Sequence, residues 1–197
     1  MLPTTKRFAF TGHSSTAGDI NSAVAQRQAW RVVSMTRARG DGLPPAAWVD
    51  VSPAGAEPEA GGTAWTLAGL MSNVRYATRT EVTALRERQE PLGRTDARCA
   101  ALIPIRKSPA WWALAQDERR AIFEEASHHT AIGMDYLPAI ARQLFHSRDI
   151  AEPFDFLTWF EFAPEHAAAF EELVGNLRAT AEWTYVEREI DIRLERA

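Results

Sequence analysis

The strongest constraint on this chain lies between Cys99 and Ile192, where hydrophobic periods of two and of 3.6 residues alternate in a fixed order. Cys99–Arg106 is a compact apolar strand. Ser108-Pro109 then marks a helix start, with Ser as N-cap and Pro at the first helical position. A helical stretch runs on to about His129, re-capped near Asp117. Pro138–Ser147 reads as a strand that sets Ile140, Arg142 and Leu144 on one face. Asp149–Pro153 is a turn, and Phe154–Phe162 (FDFLTWFEF) is a strongly aromatic strand. Pro164–Thr180 places Ala167, Phe170, Leu173, Val174 and Leu177 at helical spacing. In Trp183–Ile192 the residues Thr184, Val186, Arg188, Ile190 and Ile192 share a strand face. Strand, helix, strand, strand, helix, strand is the split βαβ order of an α+β, ferredoxin-like unit.

The first half is less patterned. Phe8–Phe10 and Ala29–Thr36 have strand character, and Gly12 to Gly18 is a polar loop containing a solvated His13. That loop lacks the Gly-Lys-Ser/Thr ending a phosphate loop requires. Ser52–Gly62 is a flexible connection. Thr63–Asn73 reads as a strand, and Thr80–Glu90 as a helix closed by Gln89-Glu90-Pro91-Leu92-Gly93. Residues 1–98 are therefore expected to form a shortened N-terminal half of two strands and a helix, with 99–197 as the complete half of one compact unit.

Composition narrows the function classes. Hydrophobic residues make up 46% of the 197, enough for a sizeable core. A net charge of -4 argues against nucleic acid as the partner, because phosphate binding wants a basic face. No segment approaches the ~20 apolar residues of a membrane span. The N-terminus lacks the apolar segment of a signal peptide. The expectation is a cytoplasmic enzyme, periplasmic if a leader has been removed. Cys99 is the single cysteine, so no internal disulfide forms.

The chemistry-bearing residues gather in Ala101–His146 and its C-terminal neighbours. Helical spacing puts His129 on the face of Ile122 and Ala126 and turns His128 about 100° away. Such a histidine is either a satisfied core residue or a metal ligand. A ligating imidazole needs its Nδ1 proton held by an acceptor. Glu182, beside Trp183, is a candidate acceptor, the alternative being a solvated loop carboxylate. Arg142 sits in an apolar strand, and its charge cannot be removed. It either pairs with Asp149, Glu161 or Glu165, lies at a sheet edge, or is held over a bound anion. Lys107, Trp111 and Trp112 supply N–H donors suited to carboxylates, or pack as ordinary core. A soft base, a fixed cation and flat aromatic rings together suit a haem pocket.

From Ala100 onward the text IPIRKS-AWW, DERRAIFEE-SHH, YLPAIARQL-H, FDFLTWFE-APEHA--FE-LV and LRAT-EWTYVERE resembles the chlorite dismutase family, in its short, dimeric branch. Ser72–Tyr76 and Gln89–Gly93 match the same family more weakly. The resemblance implies a dimeric α/β-barrel fold, a homodimer and haem b. It implies His129 as proximal iron ligand and Glu182 as acceptor of its Nδ1 proton. It implies Arg142 as a mobile distal arginine held inward by Gln89. It implies Lys107 and Trp111 as propionate contacts, Trp112 as pocket lining, and Asn73 and Tyr76 at the haem edge. The implied reaction turns chlorite into chloride and dioxygen: the iron takes one oxygen as a ferryl species, and a hypochlorite fragment stays until it recombines. The rival readings are an iron-porphyrin (coproporphyrin-type) decarboxylase, a weak peroxidase, a non-catalytic haem carrier, and a cofactor-free interaction module.

Overall fold

In the computed structural model the described residues are 6–14, 29–53, 62–71, 76–150 and 152–196. Eight strands close into a barrel: β1 (Arg7–His13), β2 (Trp30–Arg39), β3 (Trp48–Pro53), β4 (Thr63–Met71), β5 (Cys99–Lys107), β6 (Ile140–His146), β7 (Phe156–Phe162) and β8 (Val186–Arg196). Their order around the barrel is β1-β3-β2-β8-β5-β7-β6-β4, with every pairing among the described residues antiparallel. The C-terminal strands run β8-β5-β7-β6, and the N-terminal ones repeat that order as β4-β1-β3-β2 in the same direction around the barrel. The N-terminal half thus contributes four strands, not the two expected. Trp48–Pro53 is a strand that the sequence reading did not find, because a six-residue run is too short to display its period.

Period two divides the apolar residues between two layers. One set points into the barrel, where Phe10, Trp30, Leu102, Leu157, Trp159 and Ile192 pack together. Rings from both halves meet there: Trp30 is edge-on to Trp159 at 5.5 Å, and Phe10 edge-on to Phe145 at 5.1 Å. The other set, including Ile103, Ile140, Phe160 and Phe162, faces outward against helices. Those helices are α1 (Arg79–Arg88), α2 (Pro109–Ala113), α3 (Gln116–Arg120), α4 (His129–Asp135) and α5 (Ala167–Arg178).

The long helix expected from Pro109 to His129 is broken. α2 ends at Leu114, α3 runs into a π-turn over Ala121–Ala126, and α4 starts afresh at His129. His128, the residue between, has φ 50°, a left-handed conformation that histidine adopts more readily than bulkier residues. Ser108 does cap α2, its Oγ accepting from the Trp111 N–H, with Pro109 at the first position. In α5, Phe170, Leu173, Val174 and Leu177 are buried as expected, whereas Ala167 is exposed. In β8 a register shift against Arg106/Lys107 breaks the expected single face. Val186 packs in the helix layer while Ile190 and Ile192 enter the barrel.

α5 is held by apolar contact and by charge. Phe170 stacks on Phe162 at 4.5 Å and meets Phe160 edge-on at 5.1 Å. Beside it, Arg178 donates to Glu189 and Asp191, two acids buried on β8. We expect Phe170→Ala to cost about 3–5 kcal/mol, the usual loss for a buried aromatic. A urea titration checks this: the midpoint falls while the m-value holds.

Candidate active site

A cavity of about 500 Å³ lies between the outward face of the C-terminal strands and the helix layer. Strand parity builds one wall. Ile105 and Lys107 on β5, Arg142 and Leu144 on β6, and Phe156 and Thr158 on β7 all line it. Cross-strand register places Arg142 opposite Phe160 and Leu144 opposite Thr158. The other wall is helical: Val82, Leu85, Arg86 and Gln89 from α1, Trp111 from α2, Phe123 from the π-turn and His129 from α4.

One buried carboxylate organises the helical wall. Glu182 lies on a 3-10 turn (Ala181–Tyr185) just before β8 and is only 4% exposed. Its Oε2 is 2.7 Å from His129 Nδ1, and its Oε1 accepts from Lys107 Nζ at 2.6 Å. Its backbone N–H donates to Ser127 Oγ at 2.9 Å, so the turn itself is tied to the π-turn. Burial alone would raise the Glu182 pKa, but the imidazole and the ammonium beside it bring it down to about 2. With Nδ1 engaged, Nε2 is the ring nitrogen left to bind something. Phe123 stacks on the imidazole at 4.3 Å, and Tyr76, itself in a left-handed conformation at φ 64°, sits 5.6 Å from Phe123.

Lys107 is spoken for. Its ammonium is buried, bonded to the Glu182 carboxylate and to the Glu182 carbonyl at 3.3 Å, and lies 4.8 Å over the Trp111 ring. It lines the cavity, and its charge is paired with Glu182. Trp111 is different. It is 1% exposed, lines the cavity, and its indole N–H has no partner among the described residues. A buried N–H left unpaired costs free energy, so it marks a place for an acceptor. Trp112 does not line the cavity. It stacks behind Phe156 at 6.0 Å and donates to Asp155 at 3.2 Å. Adjacent helix positions diverge by about 100°, so only one of the tryptophan pair points inward.

Arg142 is half-buried, and the described residues give its guanidinium neither a hydrogen bond nor an ion pair. The expected alternatives do not occur: Glu161 accepts from Gly93 and Trp159 instead. Burial lowers the Arg142 pKa, with the Glu124 charge working against that. Gln89 lines the same cavity, but no hydrogen bond joins it to Arg142 among the described residues. Asn73 lies outside the described residues. Among them, no three of His, Cys, Asp and Glu converge as a metal site, and no helix is long and apolar enough to cross a membrane.

Residues 59–195 match the family model described as chlorite dismutase. The chain belongs to the chlorite dismutase family. A chlorite dismutase of Ideonella dechloratans is 32% identical over 88 residues, 45% of this chain but only 29% of that protein's length. The crystal structure of the dimeric chlorite dismutase from Nitrobacter winogradskyi is 54% identical, with a TM-score of 0.84 over 96% of this chain and 99% of that one. The chlorite dismutase from Candidatus Nitrospira defluvii in complex with imidazole shares the fold at 21% identity, with a TM-score of 0.69 over 98% and 93%.

Of the family residues read from the sequence, Gln89, Lys107, Trp111, His129, Arg142, Glu182 and Tyr76 converge on this chlorite dismutase cavity. Phe123, Ser127 and Glu124 were missed. No periodic signal marks a π-turn, and an ordinary apolar stripe gives no hint that Phe123 faces an imidazole.

The depressed Glu182 pKa gives a signed expectation. Native Glu182 holds no proton down to about pH 2, whereas the unfolded chain takes one near 4.5. Its contribution to stability is complete above pH 4.5 and is lost as pH falls toward 2. Glu182→Gln should flatten the stability-against-pH curve in that window, by at most about 1.4 kcal/mol per unit. Denaturant titrations at pH 3 to 5 check it.

Proposed function

We propose that the protein is a haem b chlorite dismutase, converting chlorite into chloride and dioxygen. The observation that carries the reading is the pairing, in one cavity, of an imidazole locked through Nδ1 and a guanidinium with no partner of its own. The residues fit haem. His129 offers Nε2 to iron, Trp111 an unpaired N–H to a propionate, and Tyr76, Phe123 and Leu144 apolar surface to the ring. One imidazole is too few donors for a bare metal ion, and a tetrapyrrole supplies the rest. When bound, the iron supplies the oxygen-atom acceptor and redox chemistry, and no outside electrons enter because chlorite's two oxygens leave as dioxygen and its chlorine as chloride.

The chain's own residues then have separable tasks. Glu182 draws on the His129 Nδ1 proton and raises the ring's electron donation through Nε2. Lys107 keeps that carboxylate ionised and moderates its pull on the imidazole. Arg142 attracts a small anion, orients it by hydrogen bonds its free N–H groups can make, and retains a chlorine oxide fragment before it escapes. The apolar walls limit water around these charges and so strengthen them. A porphyrin decarboxylase is the weaker reading, since nothing in it calls for an unpaired guanidinium facing the cavity.

We further propose a ferredoxin-like arrangement in each half and a homodimer. The strand order of both halves supports the first, and the 54% identity to a dimeric enzyme supports the second.

Purified protein should show a Soret band and release oxygen from chlorite on an oxygen electrode. His129→Ala should lose the haem. Arg142→Ala should keep it while kcat/KM falls on the order of 100-fold, the scale of removing one charge-stabilising donor. A colourless protein, or full turnover in both variants, would overturn the assignment. Capture of an anion by a fixed cation is partly steering, so kcat/KM should also fall as ionic strength rises.

A further inference from the structure

Arg142 reaches from β6 to the helix layer, and its guanidinium lies against Gly133 on α4, one turn after His129. A β-carbon built on Gly133 would lie 2.8 Å from Arg142 Cζ and 3.0 Å from Nη2, and closer still to Nη1. Real side-chain carbons do not approach that closely. Gly133 is buried in a helix interior, where glycine is a poorer residue than alanine, and it is not among the glycines with positive φ. Its backbone therefore does not call for glycine; a side chain there would instead displace the end of the arginine.

The same place has a counter-charge. Glu124 on the π-turn is fixed by accepting the Thr130 N–H at 2.9 Å, and it is the acid whose charge opposes the burial of Arg142. Among the described residues it forms no ion pair with the arginine. The guanidinium is thus held by shape and by charge at a distance, and its N–H groups stay available.

We propose that Gly133 and Glu124 are positioning residues for Arg142, together giving its guanidinium a station on the His129 helix from which it engages an anion. This rests on the chlorite reading above. A station without hydrogen bonds suits a group that must exchange partners, since no bond has to break before the anion is gripped.

The test compares wild type, Gly133→Ala, Glu124→Gln, Arg142→Ala and the Gly133→Ala/Arg142→Ala double variant. Gln at 124 keeps an acceptor for Thr130 and removes only the charge. Gly133→Ala should bind haem normally and melt no lower than wild type, because alanine favours the helix. Its KM for chlorite should rise by at least about tenfold, the scale of a misplaced reacting group. Hypochlorite caught by a chlorinatable dye should increase. Glu124→Gln should move in the same direction by less. In the double variant the alanine at 133 should add nothing to Arg142→Ala, because the two act through one group. Wild-type KM and dye chlorination in Gly133→Ala, or an equal effect in both backgrounds, would overturn the proposal.

A second readout is independent of turnover. In nitrogen-15 spectra of the haem-free protein, the Arg142 Nε–H signal, assigned by its loss in Arg142→Lys, should exchange slowly with water in wild type and fast in Gly133→Ala. Equal exchange in the two would overturn the station even where haem binding or oxygen release fails. Absence of haem or oxygen from wild type would instead sink the chlorite reading alone.

Discussion

A carboxylate buried between an ammonium and an imidazole governs this molecule. Glu182 is out of water, and a buried charge is tolerated only when its partners are close and its remaining lone pairs are satisfied. Lys107 arrives from the end of β5, His129 from the start of α4, and Ser127 from the π-turn between α3 and α4. Three separate pieces of chain must therefore converge before any of them is stable there. The helix breaks just before His129, where His128 takes a left-handed conformation.

The barrel makes the convergence possible. Strand parity sends one row of side chains inward, where aromatic rings from both halves lock together, and the other row outward to meet the helices. Lys107 and Arg142 belong to the outward rows of β5 and β6, which the β7 strand holds in fixed register. The two cations consequently face the same cavity yet do different work. Lys107 is neutralised by Glu182, whereas Arg142, like Arg86 on the helical wall, brings its positive charge to the cavity lining.

Much of this was legible in the sequence, and the exceptions have physical reasons. β5, β6, β7, α5 and β8 were readable because each is long enough to show its period. β3 was not, being six residues whose burial depends on strands far away in the chain. His129, Arg142 and Glu182 stood out as polar groups in apolar surroundings, and the structure brings them to one cavity. The face expected for His129 was not legible: the helix assumed for it is three pieces, Ala126 is exposed, and Phe123 rather than Ile122 lines the cavity beside it. The Lys107 partner was not legible because a sequence gives charge without partner: its salt bridge closes across 75 residues. Trp111 and Trp112 were indistinguishable as neighbours, and among the described residues only the inward one leaves its N–H unpaired. Glycine at 133 carries no signal by itself, since its significance is the guanidinium resting on it.

The most direct test is the iron–imidazole stretching band in resonance Raman spectra of the ferrous haem protein, wild type against Glu182→Gln. The carboxylate's pull on Nδ1 should give wild type a distinct iron–histidine band, and the amide should shift it to lower frequency while haem stays bound. An identical band in the two proteins, or none in wild type, would contradict the claim that Glu182 sets the character of the His129 ligand.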